Sequence, residues 1–179
     1  QTPHDSAYAI VRDAEAHRRA MLIAASYLPA GAERHPADFV PELSRRGRGF
    51  ATWAVIKALG REGIAAMVER HCAQARRMAV RLSVEADVEI MNDVVLNQVA
   101  VRLGTDLDGA EADALTERTI ARVQRDGVCF VGGANWRGRQ IVRVSVISEN
   151  TTEADIDRSA DAILSAWRAE RHANTQQNV

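Results

Sequence analysis

The apolar residues of this chain pass from a helical to a strand period near Val84, and that change does most to limit the folds open to it. Before it, Ile64, Met67, Val68, Cys72, Ala75, Met78 and Leu82 recur at steps of three and four, which makes one apolar stripe on a helix and predicts core there. After it, Val88-Glu89-Ile90 and Gln98 to Leu103 alternate with a period of two, as strands do, with Asn92-Asp93 as turn chemistry between the apolar runs. Asp108 is placed to cap a helix from Ala110 to Gln124, which Asp126-Gly127 ends. A third strand is expected over Val128 to Val131, leading through Gly132-Gly133 and Gly138 to a fourth over Ile141 to Ile147. Thr152 and Asp155 have capping-box spacing and open a last helix to about Arg168, with a polar, frayed tail from Arg171. Single strands alternating with helices point to an α/β chain with a small sheet of three or four strands, covered by helices on one face.

The N-terminal part reads differently. Ala7 to Val11 suits a short buried strand and Ala14 to Ile23 a short helix. From Ser26 to Leu43, Pro29, Gly31, Pro36 and Pro41 break any period, and a loop of that length in a compact domain is usually functional or disordered. Arg46 to Leu59 and Glu62 to Leu82 then form two helices with Gly60 and Gly63 at their joint.

Composition narrows the function classes. At 179 residues, 46% apolar and 26% charged, the chain can bury a core of ordinary globular type. No signal peptide and no apolar run near the roughly 20 residues of a membrane span is expected, so the reading is a soluble, cytoplasmic protein without a membrane partner. Ser44-Arg45-Arg46-Gly47-Arg48 is basic, but a net charge of -1 and the lack of interleaved aromatic residues argue against nucleic acid. Cys72 and Cys129 lack any metal or disulfide spacing and read as free buried thiols. His4, His17, His35, His71 and His172 form no metal motif, and none is expected to be catalytic. Lys57, the sole lysine, belongs to a helical run and reads as a solvated helix-face residue.

Two residues stand out chemically. Alternation puts Val142, Val144 and Val146 on one face of a strand and Arg143 and Ser145 on the other, and a guanidinium projecting from a strand interior wants an anion. From the strand alone, a bound ligand and an inter-domain salt bridge serve equally. Tyr27, taken alone, reads as a packing residue at a helix end.

Several segments in order resemble a known family: Ala25-Ser26-Tyr27-Leu28-Pro29, the run from Pro41 through Ser44-Arg45-Arg46-Gly47-Arg48 to Trp53, Val94 to Val99, and Asn135-Trp136-Arg137-Gly138-Arg139 followed by the Arg143 strand. They are similar to the pyridoxal-5'-phosphate (PLP)-dependent group II amino-acid decarboxylases, the family of aromatic-L-amino-acid and glutamate decarboxylases, over about Thr2 to Ile163. Gln1 to Ser6 resembles the sequence that follows the family's His-Lys-Trp motif. The resemblance implies the C-terminal part of a fold type I enzyme, without the lysine that holds the cofactor. Residues 1–43 would end the large PLP domain, with Ala7 to Val11 as an orphan strand and a mobile catalytic loop; 44–83 would be linking helices and 84–179 the small C-terminal domain.

It also implies roles. Tyr27 would be the loop tyrosine that closes over the neighbouring subunit's site and returns a proton after carbon dioxide leaves. Arg143 would hold the α-carboxylate of an L-amino-acid substrate, where a planar fork serves better than lysine. Ser44 would line the partner's substrate pocket in a homodimer, at a position where some relatives have glycine. The cofactor-contacting residues would all lie in the N-terminal portion outside this chain. The competing readings are a non-catalytic interaction module of the same fold, and a fold type I transaminase or lyase.

Overall fold

The computed structural model describes residues 4–22, 34–42, 44 and 46–177, which fall into two units, one up to Ala58 and one from Leu59. Tyr27 and Arg45 lie outside the described residues.

In the first unit, α1 (Ala14–Met21) is capped by Asp13, whose Oδ1 accepts from the Ala16 N–H at 2.9 Å. A 3-10 turn (Pro36–Phe39) packs Phe39 edge-on against His17, with Arg34 over its ring. Ala7 to Val11 was expected to be a buried strand. It forms no strand, and Ile10 is 97% exposed, because no described backbone lies beside it to share a ladder. The helix α2 (Gly49–Leu82) begins in this unit. Gly60, at φ 64° and ψ -174°, leaves helical geometry and divides it into the two helices expected from the sequence.

The second unit is built on four antiparallel strands, β1 (Val88–Ile90), β2 (Gln98–Leu103), β3 (Gly132–Trp136) and β4 (Arg139–Ser145), in the order β1-β2-β4-β3. Val99 stands opposite Val144, and Val101 opposite Val142, so one face presents a continuous valine surface. Helix α3 (Gly109–Asp126), the end of α2 and α4 (Glu153–Gln177) cover that face. Leu115, Ile120 and Val123, with Met78 and Leu82, and Ile156, Ile163, Leu164 and Trp167, complete the core. The stripe on α2 is therefore core only toward its C-terminal end, from Ala75; Val68 is 45% exposed. Helix α3 is capped by Asp108 and ended by Gly127 in the left-handed region, as its sequence requires. The Thr152–Asp155 capping box is formed in both directions, at 2.9 and 3.2 Å.

Two further expectations fail. Val128 to Val131 is not a strand; Phe130 is 80% exposed, and the strand is the glycine-led Gly132–Trp136 instead. Arg137 (φ 52°) and Gly138 (φ 77°) form the two-residue turn that joins β3 to β4, with Asn135 Oδ1 accepting from Gly138 N–H. Low strand propensity hides β3, yet Gly133 is needed: a Cβ there would come within 3.0 Å of Gln140 Nε2 and 3.3 Å of Ile120. Nor does the tail fray. Helix α4 runs to Gln177, because Arg171 pairs with Asp87 at 3.0 Å and Asp106 at 2.6 Å, while Arg118 and Glu111 bond to Asn174. Those partners are far away in sequence.

Arg102 on β2 is 4% exposed and bonds to Asp113 of α3, to the Gln140 carbonyl at 2.7 Å and to the Gly109 carbonyl at 3.3 Å. Burial pushes the Asp113 carboxyl up, but the Arg102 hydrogen bond, the Gln140 N–H and the nearby guanidinium charges outweigh it and hold the carboxyl below its ordinary value. Asp113→Ala would leave the guanidinium buried with carbonyls alone. It is expected to cost about 3 kcal/mol in urea unfolding, and the Arg102→Met/Asp113→Ala double variant should recover part of that loss. A double variant as unstable as the sum of the single ones would contradict this account.

The carboxyls of Glu85, Asp155 and Asp157 are also lowered, chiefly by hydrogen bonds from Arg168, from the Thr152 backbone and from Arg77. Folded pKa values below the unfolded ones mean stability that is present above the unfolded value and lost as pH falls through the folded one. The urea midpoint should stay level down to about pH 5 and drop below about pH 4. A midpoint still level at pH 3 would rule out this coupling.

Candidate functional site

Arg143 sits mid-strand on β4, with Val142 and Val144 turned into the core on either side of it. The same alternation that buries the valines sends its guanidinium to the opposite face, together with half-buried Ser145. Its cross-strand partners are Ala100 on β2 and Gly132 on β3. Both are small, so the side chain has room on either flank; a Cβ on Gly132 would only just touch it, at 3.9 Å from Nη2. Arg143 is exposed, and its side chain makes no ion pair or hydrogen bond with the described residues.

The contrast with Arg102 is informative. Both arginines lie on the two central strands, but Arg102 is buried and its donors are taken by Asp113 and two carbonyls. The arginines that border α4 are likewise occupied: Arg77 with Glu153 and Asp157, Arg122 with Glu170, and Arg168 with Glu85. Arg143 keeps its five N–H donors available for an outside anion, and a carboxylate is the group whose geometry matches that fork.

On the helix-covered side, a cavity of about 280 Å³ opens near the end of β4, with Met78, Val144, Ile156 and Cys129 in its wall. Burial pushes the Cys129 thiol up, against a weak contact with the Ser159 carbonyl, so it is not a poised nucleophile. Cys72 and Cys129 are both free and half-buried. Among the described residues, no three His, Cys, Asp or Glu side chains cluster to hold a metal, and no helix is long and apolar enough to cross a membrane.

The other sequence-derived candidates belong to the first unit. Ser44 is exposed in a bend. Nearby, Arg48 Nε bonds to Asp5 at 2.6 Å and lowers that carboxyl, beside a cavity lined by Tyr8, His35 and Arg46 among others. Tyr27 falls outside the described residues. Lys57 is exposed on α2, so the lysine chemistry of a bound pyridoxal phosphate finds no enclosed partner here.

Sequence reasoning missed Arg102, since Val101-Arg102-Leu103 reads locally much like Val142-Arg143-Val144. It also left His71 undistinguished, although the structure buries it to 7% exposure against the Ser148 carbonyl. Its place at the edge of the helical stripe was the available signal.

The family described as "Pyridoxal-dependent decarboxylase conserved domain" matches residues 2–104, more than half of the chain. Among solved structures, mouse CSAD is similar at a TM-score of 0.73 and 16% identity, covering 86% of this chain and 34% of that one. Catharanthus roseus tryptophan decarboxylase in complex with L-tryptophan is similar at 0.67 and 16%, covering 74% and 29%. Rhodiola rosea 4-hydroxyphenylacetaldehyde synthase is similar at 0.66 and 21%, covering 74% and 28%. The chain thus spans about a third or less of these structures and shares the fold of the corresponding part. By sequence match and by fold, the chain belongs to the pyridoxal-dependent decarboxylase family.

Proposed function

We propose that this chain is the C-terminal part of a PLP-dependent amino-acid decarboxylase, and that Arg143 binds the α-carboxylate of its L-amino-acid substrate. The observation that carries the reading is an exposed guanidinium at the centre of the sheet with no partner among the described residues, flanked by Ala100 and Gly132, in a chain of this family. When bound, pyridoxal phosphate supplies the electron sink that makes loss of carbon dioxide feasible. The described residues do not fit its attachment, because the sole lysine is exposed on a helix; that role goes to a lysine outside this chain.

What this chain contributes is recognition and a proton. Arg143 anchors the carboxylate and so orients the bond that breaks. Tyr27, between α1 and the 3-10 turn in sequence, delivers a proton to the substrate α-carbon after carbon dioxide departs. The enzyme works as a cytoplasmic homodimer in which Tyr27 and Ser44 act at the neighbouring subunit's pocket. Residues 1–43 complete the large domain, 44–83 link, and 84–179 form the small domain.

A bidentate, charge-assisted contact contributes about 1.5–3 kcal/mol. Arg143→Lys in the full-length enzyme should therefore lower kcat/KM for decarboxylation roughly ten- to hundred-fold, with the cofactor absorbance retained. Unchanged kcat/KM would exclude the carboxylate role. Tyr27→Phe should slow amine formation by about a hundred-fold or more while cofactor stays bound. Product analysis checks it, and an unaltered rate of the same amine would exclude Tyr27 as the proton donor.

A further inference from the structure

Three side chains on one stretch of α2 reach a single piece of backbone, the segment between β4 and α4. Arg70 Nη2 donates to the Glu149 carbonyl at 3.3 Å, His71 Nε2 to the Ser148 carbonyl at 3.1 Å, and Gln74 Nε2 to the Thr151 carbonyl at 2.6 Å. His71 and Gln74 are 7% and 4% exposed. A carbonyl can only accept, so the bond assigns the His71 proton to Nε2.

Gln74 shows what the arrangement is for. Its Oε1 is buried with no hydrogen-bond partner among the described residues, a state that costs stability. Turning the amide over would set Oε1 against the Thr151 carbonyl, so the orphan cannot be relieved that way. A methionine would fill the same volume without an orphan. The amide makes the bond to Thr151 that a methionine could not.

The segment is also tied from the other side. Val146 N–H donates to the Asn97 carbonyl at 2.9 Å, and Asn97 Nδ2 to the Val146 carbonyl at 3.0 Å. Arg143 lies three residues before Val146, on a strand whose pairing with β2 spans only Gln98 to Val101. On its other side β4 pairs with β3 in a ladder that ends at Arg143, so beyond that residue the strand is paired on one side only and the contacts at its exit help to set its twist.

We propose that His71 and Gln74 are positioning residues for substrate binding: by holding the Ser148 and Thr151 carbonyls they fix the end of β4, and with it the aim of the Arg143 guanidinium. The inference rests on the reading of Arg143 as the carboxylate-binding residue. Misplacement of a binding group by a fraction of an ångström weakens the contact without removing it, so the effect belongs in KM.

The test uses the full-length enzyme. His71→Leu and Gln74→Met should each raise KM for the amino-acid substrate roughly five- to ten-fold with kcat within about two-fold, active sites being counted by cofactor absorbance. His71→Gln, whose amide N–H reaches the same carbonyl, should keep the original KM. Without substrate, amide hydrogen exchange over residues 145–151 should quicken in His71→Leu and Gln74→Met but not in His71→Gln. An unchanged KM in both loss variants, or a His71→Gln as impaired as His71→Leu, overturns the proposal. Arg143→Lys assayed alongside separates the two levels. If it too leaves kcat/KM unmoved, the carboxylate reading falls and takes this inference with it; if it alone lowers kcat/KM, the inference falls by itself.

Discussion

One face of a four-stranded antiparallel sheet must be kept dry, and the rest of the second unit follows from that requirement. Val99, Val101 and Leu103 with Val142 and Val144 form an apolar surface that only packed helices can cover. Helices α3, α4 and the end of α2 do so through Ile120, Trp167, Ile163 and Met78. Because strand side chains alternate, burying the valines leaves Arg143 on the other face. The position of Arg143 is a by-product of the core pattern, and it cannot be moved to the core side without shifting the whole strand by one residue.

Charge is distributed in the same economical way. Arg77, Arg81, Arg122, Arg168 and Arg171 stitch α4 to its neighbours through exposed pairs, each of which contributes little. Arg102 is different: burial makes its partner Asp113 indispensable, since an unpaired guanidinium inside the protein is far costlier than a missing surface pair. The Arg143 guanidinium, by contrast, has no hydrogen bond or ion pair among the described residues and keeps its donors to spare. Membership of the pyridoxal-dependent decarboxylase family is what makes a substrate carboxylate the proposed partner of that guanidinium.

Much of this was legible in the residues. The 3.6 period on α2, the alternation in β2 and β4, the Asp108 cap, the Gly127 stop and the Thr152–Asp155 box are local signals found where they were read, except that the α2 stripe is core only from Ala75. What was misread depended on distant partners. Val128 to Val131 has the composition of a strand and no ladder, while Gly132–Trp136 has a poor composition and a turn that sets its register. The tail beyond Arg171 is polar enough to fray, but Asp87 and Asp106 meet it from loops more than sixty residues away.

The amino-acid sequence by itself determined which face of each strand and helix is apolar, where the helices of the second unit are capped, and the family to which the chain belongs, because these depend on short-range periodicity and on ordered motifs. Only the tertiary structure decided which arginine is occupied and which is free. Arg102 and Arg143 sit in nearly the same local pattern, and the distinction between them is made by Asp113, which the packing of α3 on the sheet brings to one and not to the other. Side-chain partnership across a fold is set by three-dimensional proximity, which no local period encodes.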